Sequence, residues 1–576
     1  MARRIGFGPL LGIVLFLGFL ARLGYVLGQA ASDPTAGVPM LDGAYFLDWA
    51  RAVAEGRGGP LLGHPAEAPS AFYLAPLYPL ALAGFFLAFG ENLSLLYYAQ
   101  QLLVLGAAAG LAWSARRLVG DGAAVAAAGI LLAYHPALFF ASRPVGEPLA
   151  LLLLAAALAA GPADEGAWRS ALGGWLAGLA AVARPNLILA PVVWAAIAAT
   201  RGRWGRAGFC AAGAMLALAP TLVRNWSVSG HPVPVSANGG MTLYHGNGPG
   251  AAGIGWFVRG MTGRLEEQQR EATRLASFHA ERGLDPVEAD GWWARQAVRA
   301  RLDDVGGTIG LVARRAALLV SNEELALDYA PDLDVAGWRR LAPLPFAAVL
   351  GLAAGGVVAR GWARTGGALV WGTALACAVA PLAFFVSSRY RLPLAAVLSI
   401  PAGAGLAAIL SRTTAMRRRL SAAGAAAAVG LLSVLIPTGG LARTTEAVAR
   451  ANRALVLRRT GDPARAEEEL KLALKLDPDS VPALTGLQQL LSASGRSDEF
   501  REHYERALEV HPAGIAQRWE NEILTRVAAG NVAGAWQTME SLSATGVAID
   551  PEIARKLRHA AGVPPAPAAA GDGSRP

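Results

Sequence analysis

"FGPLLGIVLFLGFLARLGYVLG", residues 7–28, decides how the rest of the chain is read. A straight helix needs about 20 apolar residues to cross a bilayer, and this run supplies them. Arg3 and Arg4 precede it, as in a signal peptide. No convincing small-residue cleavage site follows and many apolar runs do, so the reading is a retained first helix. Those runs cover approximately 93–115, 122–141, 147–160, 170–183, 186–199, 207–223, 341–359, 366–386, 393–411 and 420–437. Around "ARPN" (183–186), Pro185 disfavours the helical state of the residue before it, which marks a break. Composition agrees. The 576 residues are 54% hydrophobic and only 16% charged, too little charge for a soluble surface of this size.

The net charge of +9 is placed unevenly. Arginines gather between apolar runs, at Arg116/Arg117, Arg201/Arg203/Arg206 and Arg412 with Arg417 to Arg419. That pattern fits cytoplasmic loops of a membrane protein and argues against a nucleic-acid surface. With Arg3/Arg4 inside, "SRPVGEP" (142–148), the loop after 224 and "SSRYRLP" (387–393) fall outside, provided that 72–90 makes no net crossing. Pro76 and Pro79 favour a re-entrant segment there; the alternative is that 72–90 spans and a short run elsewhere does not. Cys210 and Cys377 both sit in apolar runs, so neither a disulfide framework nor a cysteine metal site is available.

Two regions lie outside the apolar runs. Residues 224–340 form an outer loop, glycine-rich at first and then helical from about 263 to 305, with 308–324 amphipathic enough to rest on a membrane surface. Within 445–545, "GDPARAEEELKLALKLDP" starts at Gly461, and "GRSDEFREHYERALEVHP" starts 34 residues later at Gly495. Alanine, leucine and proline recur at that offset, and a weaker copy begins at Gly530. This resembles the tetratricopeptide repeat, a helical module that binds protein partners. The module either serves a partner or only stabilises the chain. The tail from 563 is rich in Pro, Ala and Gly and reads as disordered.

"LDGAYFLDWARAVAEG" (41–56), "FYLAPLYPLALAGFFLAFG" (72–90), "RPVGEPLALLLL" (143–154), "GGWLAGLAAVARPNLILAP" (173–191), "VRNWSVSGHPVPVSANGGMTLYHGNGPG" (223–250) and "SSRYRLPL" (387–394) follow one another in this order. The series resembles the bacterial GT-C membrane glycosyltransferases of family 39 and the protein-mannosyltransferase-like group, over residues 1–411. The resemblance implies an all-α polytopic domain over 1–437 in the plasma membrane, a polyprenyl-phosphate sugar donor, and an active site facing away from the cytoplasm; by the arginine placement the repeats are expected on that side too. In that group the first outer loop opens on an acidic pair. Asp42 falls at its aspartate, Gly43 stands where the second acid would be, and Asp48 is the nearest other carboxylate.

The chemistry needs such a group. An acceptor hydroxyl must lose its proton as the bond to the sugar forms, and Asp42 could take it as general base. It could instead hold a divalent cation, Mg or Mn, against the departing phosphate, or merely cap a helix. Six residues at about 100° each put Asp42 and Asp48 some 120° apart on a helix, which disfavours tight cooperation. Glu147 opens an apolar helix, either beside the active site or as a first-turn acid favoured by the helix dipole. Arg184 either neutralises the donor phosphate or snorkels to the interface. Arg389 and Arg391 break the inside bias of positive charge, which points to gripping phosphate. Asn238, Tyr244 and Asn247 in "SANGGMTLYHGNGPG" suit sugar hydroxyls, although glycine-rich stretches are also simply turns. Tyr73 and Tyr78 read as an interfacial aromatic belt, and His64, His135 and His245 lack metal-ligand spacing. The sequons at Asn92 and Asn225 carry no weight. Two other functions compete: an O-antigen ligase or polymerase that moves a whole glycan, and a non-enzymatic anchor that displays the repeats.

Overall fold

The computed structural model describes residues 6–33, 36–57, 70–161, 166–255, 258, 260–261, 265–333, 342–365, 367–478, 480–496, 499, 514–544 and 549–563. Arg3, Arg4, His64, most of the second repeat copy and the tail beyond Val563 lie outside these residues. The chain is all-α. Among the described residues there is no strand, only an isolated bridge between Tyr134 and Leu344.

The first part holds α1 (Phe7–Ser32), α2 (Leu41–Ala54), α3 (Leu77–Phe89), α4 (Leu93–Val119), α5 (Asp121–Ala133), α6 (His135–Phe140), α7 (Glu147–Ala160), α8 (Ala167–Ala183), α9 (Leu189–Thr200) and α10 (Trp204–Ser229). The loop region follows with α11 (Gly239–Asn247), α12 (Leu265–Ala280), α13 (Pro286–Asp303) and α14 (Val305–Val320). The chain returns to the bundle with α15 (Phe346–Arg360), α16 (Trp362–Thr365), α17 (Gly367–Ala383), α18 (Ser388–Leu410) and α19 (Met416–Leu435). It ends in α20 (Leu441–Arg459), α21 (Pro463–Leu476), α22 (Val481–Ala493), α23 (Gly514–Ala528), α24 (Val532–Ala544) and α25 (Pro551–Ala560). By length and composition, α1, α4, α10, α18 and α19 can each cross a membrane.

The bundle has two chemically distinct ends. Arg360 donates to the carbonyl of Val119 (2.6 Å), and the Arg116 guanidinium lies 4.6 Å from the centre of the Phe7 ring. These contacts gather the ends of α15, α4 and α1 at an arginine-rich face. The opposite end carries the first turns of α2, α7 and α18 and the last turn of α8. The short helix α3 begins and ends at that opposite end: Tyr78 donates to Gln100 (2.6 Å), and Glu91, just past α3, pairs with Arg51 of α2 (2.5 Å). At 1.5 Å per residue its 13 residues reach only about 20 Å, short of a ~30 Å hydrocarbon core. Asn92 spends its side chain capping α4, accepting from Leu95 N (3.0 Å), and Asn225 is fully buried with its amide held by Val233 and Val235.

Small residues let the helices approach closely, the usual device where lipid gives no hydrophobic drive between helices. A Cβ on Gly174 of α8 would stand 2.0 Å from Cys210 O, and one on Gly213 of α10 would stand 2.0 Å from Ala171 O. Gly213→Leu is therefore expected to force α8 and α10 apart and cost about 3 kcal/mol or more. Gly208→Leu, five residues earlier on another face of α10 with open space around it, should melt like the wild type in a detergent thermal-shift assay. Equal melting of the two variants would refute this packing.

The loop region is more broken than its composition suggests. Where sequence reading expects one helical stretch, α12 and α13 are separated at Asp285, whose carboxylate accepts from Val287 N and Glu288 N (both 2.8 Å) while Glu288 reaches back to Asp285 N (3.1 Å). This capping box fixes where α13 begins. On α14, Val305, Ile309 and Val312 are exposed, whereas Leu311, Arg315, Leu318 and Leu319 are buried. The C-terminal helices are tied back onto this region. Ile523, Leu524, Val527 and Leu557 share one core with Leu275, Ala276 and Trp293, and Arg555 pairs with Glu281 (2.7 Å). Loop and C-terminal module thus occupy the same end of the bundle. In α20 to α22 the contacts are mostly alanine and leucine: Ala447, Ala451, Ala466, Ala473, Leu470 and Leu487.

Candidate active site

Asp42 sits in the first turn of α2, but it does not cap the helix. The N-cap is Met40, which makes no side-chain capping bond. Met40 is fixed by Tyr329, whose hydroxyl accepts from Met40 N (3.1 Å) and donates to Met40 O (3.2 Å). Leu41 adopts φ 47°, a rare left-handed conformation for a leucine, and Asp42 follows it. Freed from capping, the Asp42 carboxylate accepts from Arg389 Nη1 at 2.9 Å.

Arg389 is the hub. It lies in the first turn of α18 with its side chain 1% exposed, and it meets three carboxylates. Nε donates to Glu147 (2.6 Å), and Nη1 is shared by Asp42 and Asp328. Glu147, at the first position of α7, also pairs with Arg184 Nη1 at the end of α8 (3.1 Å). The Arg184 guanidinium lies 5.2 Å from the centre of the Tyr390 ring. Asp42, Glu147, Arg184 and Arg389, widely separated in sequence, thus join one network. Their elements explain why: each residue stands at a helix terminus on the same end of the bundle.

Asp328 escapes sequence reading. It belongs to an irregular segment after α14, "ALDYAPDL" (326–333), which shows no helical period and no motif. Only folding brings it here. Ser388 N and Ser388 Oγ both donate to Leu325 O (2.8 and 3.0 Å), Ala326 and Ala330 pack on Ala449 of α20, and Asn452 donates to Asp328 O (3.4 Å). Burial, and then the Asp42 charge, push the Asp328 carboxyl above the usual carboxylate range, while Arg389 opposes the shift. Pro144 and Tyr329 crowd Gly43. A Cβ there would stand 2.8 Å from Pro144 Cγ and 2.9 Å from the Tyr329 hydroxyl. A side chain at 43 has no room, and the carboxylate that shares Arg389 Nη1 with Asp42 is that of Asp328, the residue before Tyr329.

Other sequence candidates fall elsewhere. Asp48 is on the outer face of α2, its side chain 72% exposed and paired with Arg51, so it does not join Asp42. Arg391 does not join Arg389 either, because two residues along a helix is more than half a turn. It pairs with Glu324 (2.8 Å), donates to Ser321 O (2.6 Å) and Glu323 O (2.8 Å), and so ties the start of the 321–333 segment to α18. Asn247 is likewise occupied, donating to Leu243 O and Ala383 O and accepting from Arg315 (3.1 Å). Tyr73 and Tyr78 are buried in the aromatic cluster of α2 and α3 with Phe46 and Trp49, not spread in a surface belt.

A cavity of about 2880 Å³ opens from this network away from the arginine-rich end. Asp42, Asp328, Arg184 and Tyr390 face it at the bundle; Asn238, Tyr244 and Trp292 line it from the loop region; Asn452, Arg459 and Gln489 line it from the C-terminal helices. Tyr244 packs on Trp293, ring centres 4.7 Å apart. His245 and His279 also face it, and burial lowers each to about 4, with Lys556 adding to the effect on His279. Both imidazoles are neutral at pH 7. Three buried atoms of the network have no hydrogen-bond partner: Arg184 Nη2, Arg389 Nη2 and Glu147 Oε2.

A divalent cation does not fit this donor set. Asp42, Glu147 and Asp328 point at the Arg389 guanidinium, so the place a metal would take among them is filled by a cation of the chain itself. Among the described residues no group of three or more His, Cys, Asp or Glu side chains is arranged to hold a metal ion. A search against models of known protein families gives no match, and no curated protein matches the chain.

Proposed function

We propose that the protein is a membrane glycosyltransferase that moves one sugar from a polyprenyl-phosphate carrier to a hydroxyl of an acceptor on the outer side of the membrane. One observation carries this reading: the Asp42 carboxylate and Arg184, which pairs with Glu147, line the same large cavity at one end of an apolar helical bundle. A carboxylate beside a cationic donor is what displacement of an anionic leaving group by an alcohol requires.

The acceptor oxygen attacks the anomeric carbon while the bond from that carbon to the phosphate oxygen breaks. The bonding pair leaves with the polyprenyl phosphate, and the hydroxyl proton passes to the Asp42 carboxylate. The Arg184 guanidinium, lining the cavity, stabilises the phosphate as negative charge grows on it. A single displacement inverts the anomeric configuration. The arginine-rich end faces the cytoplasm, by the inside bias of positive charge, and the cavity and C-terminal module face outward. The module resembles tetratricopeptide repeats and here walls the cavity, so it belongs to the enzyme and is not a detachable partner-binding appendage.

Loss of the protein followed by compositional analysis of the envelope glycans tests the reading. The expected result is a glycan or glycoconjugate lacking one defined sugar. Loss of whole glycan chains would favour a ligase or polymerase, and unchanged glycans would leave only the anchor.

A further inference from the structure

Resting on the transferase reading, we propose that Arg389 is a built-in replacement for a catalytic divalent cation: its guanidinium gathers Asp42, Glu147 and Asp328, offsets part of their charge together with Arg184, and lets the site accept an anionic donor without metal. The argument is geometric. Three carboxylates from three distant segments converge on one buried side chain, with Glu147 at 2.6 Å from Nε and Asp42 at 2.9 Å from Nη1. Without a cation at that point the three acids would repel one another and any phosphate brought to the cavity. A metal ion is the common solution for such an acidic knot; here the position is taken by a residue anchored in α18.

A guanidinium also differs from a metal in a way the site uses. It is planar and permanently charged, and it offers five N–H donors in a fixed fork. Three acids occupy Nε and Nη1, which leaves Nη2 without a partner although the side chain is only 1% exposed. Arg184 Nη2 is unpartnered as well, and Arg184 shares Glu147 with Arg389. The two guanidinium groups are thus linked through one carboxylate, and of the two Arg184 lines the cavity while Arg389 stays behind it. Glu147 is the bridge that holds them at that separation, a positioning residue by this account.

The substitution can be reversed experimentally. Arg389→Ala, produced and purified with Mn2+ present, should bind one Mn2+ by electron paramagnetic resonance. The ion should raise its melting temperature, and both effects should vanish when Asp328→Asn is added. Wild-type protein should show neither that Mn2+ signal nor the thermal shift, and should keep at least half of its transfer activity in excess EDTA. Loss of wild-type transfer in EDTA with recovery on Mn2+ would overturn the proposal, as would an Arg389→Ala protein that folds but ignores Mn2+. If the variant does not fold even with Mn2+, the wild-type EDTA and Mn2+ measurements decide. A wild-type protein that transfers no sugar ends the transferase reading, whereas the Mn2+ comparison still judges the role of Arg389.

Discussion

Arg389→Leu in metal-free buffer is expected to lose about 3–5 kcal/mol of stability, the largest effect of any single substitution in the bundle. The side chain is buried and is the shared partner of Asp42, Glu147 and Asp328. Leucine fills much of the volume but leaves three carboxylates close together with only Arg184 to balance them, and Arg184 contacts Glu147 alone among the three. Breaking a buried ion pair by deleting one partner costs far more than the pair itself contributes, because the remaining charge is stranded. Arg391→Leu gives a useful contrast. It strands a single carboxylate, Glu324, and unties the 321–324 segment, so it should cost less and spare Asp42. The measurement is melting in detergent or nanodiscs. Arg389→Leu melting within a degree or two of wild type would show that the network does not hold the helix ends together.

Asp42→Asn is expected to lower transfer about 10²–10⁴-fold with normal membrane insertion. The amide keeps the shape and can still accept from Arg389, but it cannot take a proton from an alcohol. Arg389 retains Glu147 and Asp328, so no buried cation is stranded and the stability cost should be near 1 kcal/mol. Asp48→Asn is the matching control. Its carboxylate is exposed and pairs with Arg51, and exposed pairs contribute little, so both activity and melting should stay close to wild type. If Asp42→Asn keeps full activity, the base lies elsewhere, and Asp328 is the next carboxylate facing the cavity.

The carboxylates of the site show how far linear reasoning reaches here. Asp42 stands out because acidic residues are costly beside an apolar run, and that cost is visible in one dimension. Asp328 does not stand out, since an aspartate in a polar loop is unremarkable until the loop is packed. Arg389 and Arg391 look equivalent in "SSRYRLP", yet helical geometry sends them to opposite sides of α18, one to the acidic knot and the other to the 321–324 segment.

Apolar run lengths, arginine placement and the 34-residue period are local quantities, so the sequence alone determines an all-helical chain with membrane-length helices, an arginine-rich end and a repetitive C-terminus. Which side chains meet is a different matter. The meeting of Asp42, Glu147, Asp328 and Arg389, up to 347 residues apart, depends on helix ends brought to one level by glycine-permitted packing and on α20 pressing the 326–330 segment inward. Only the tertiary structure decides that, because the attraction of a buried guanidinium for a carboxylate depends on distance in space and leaves no periodic trace along the chain.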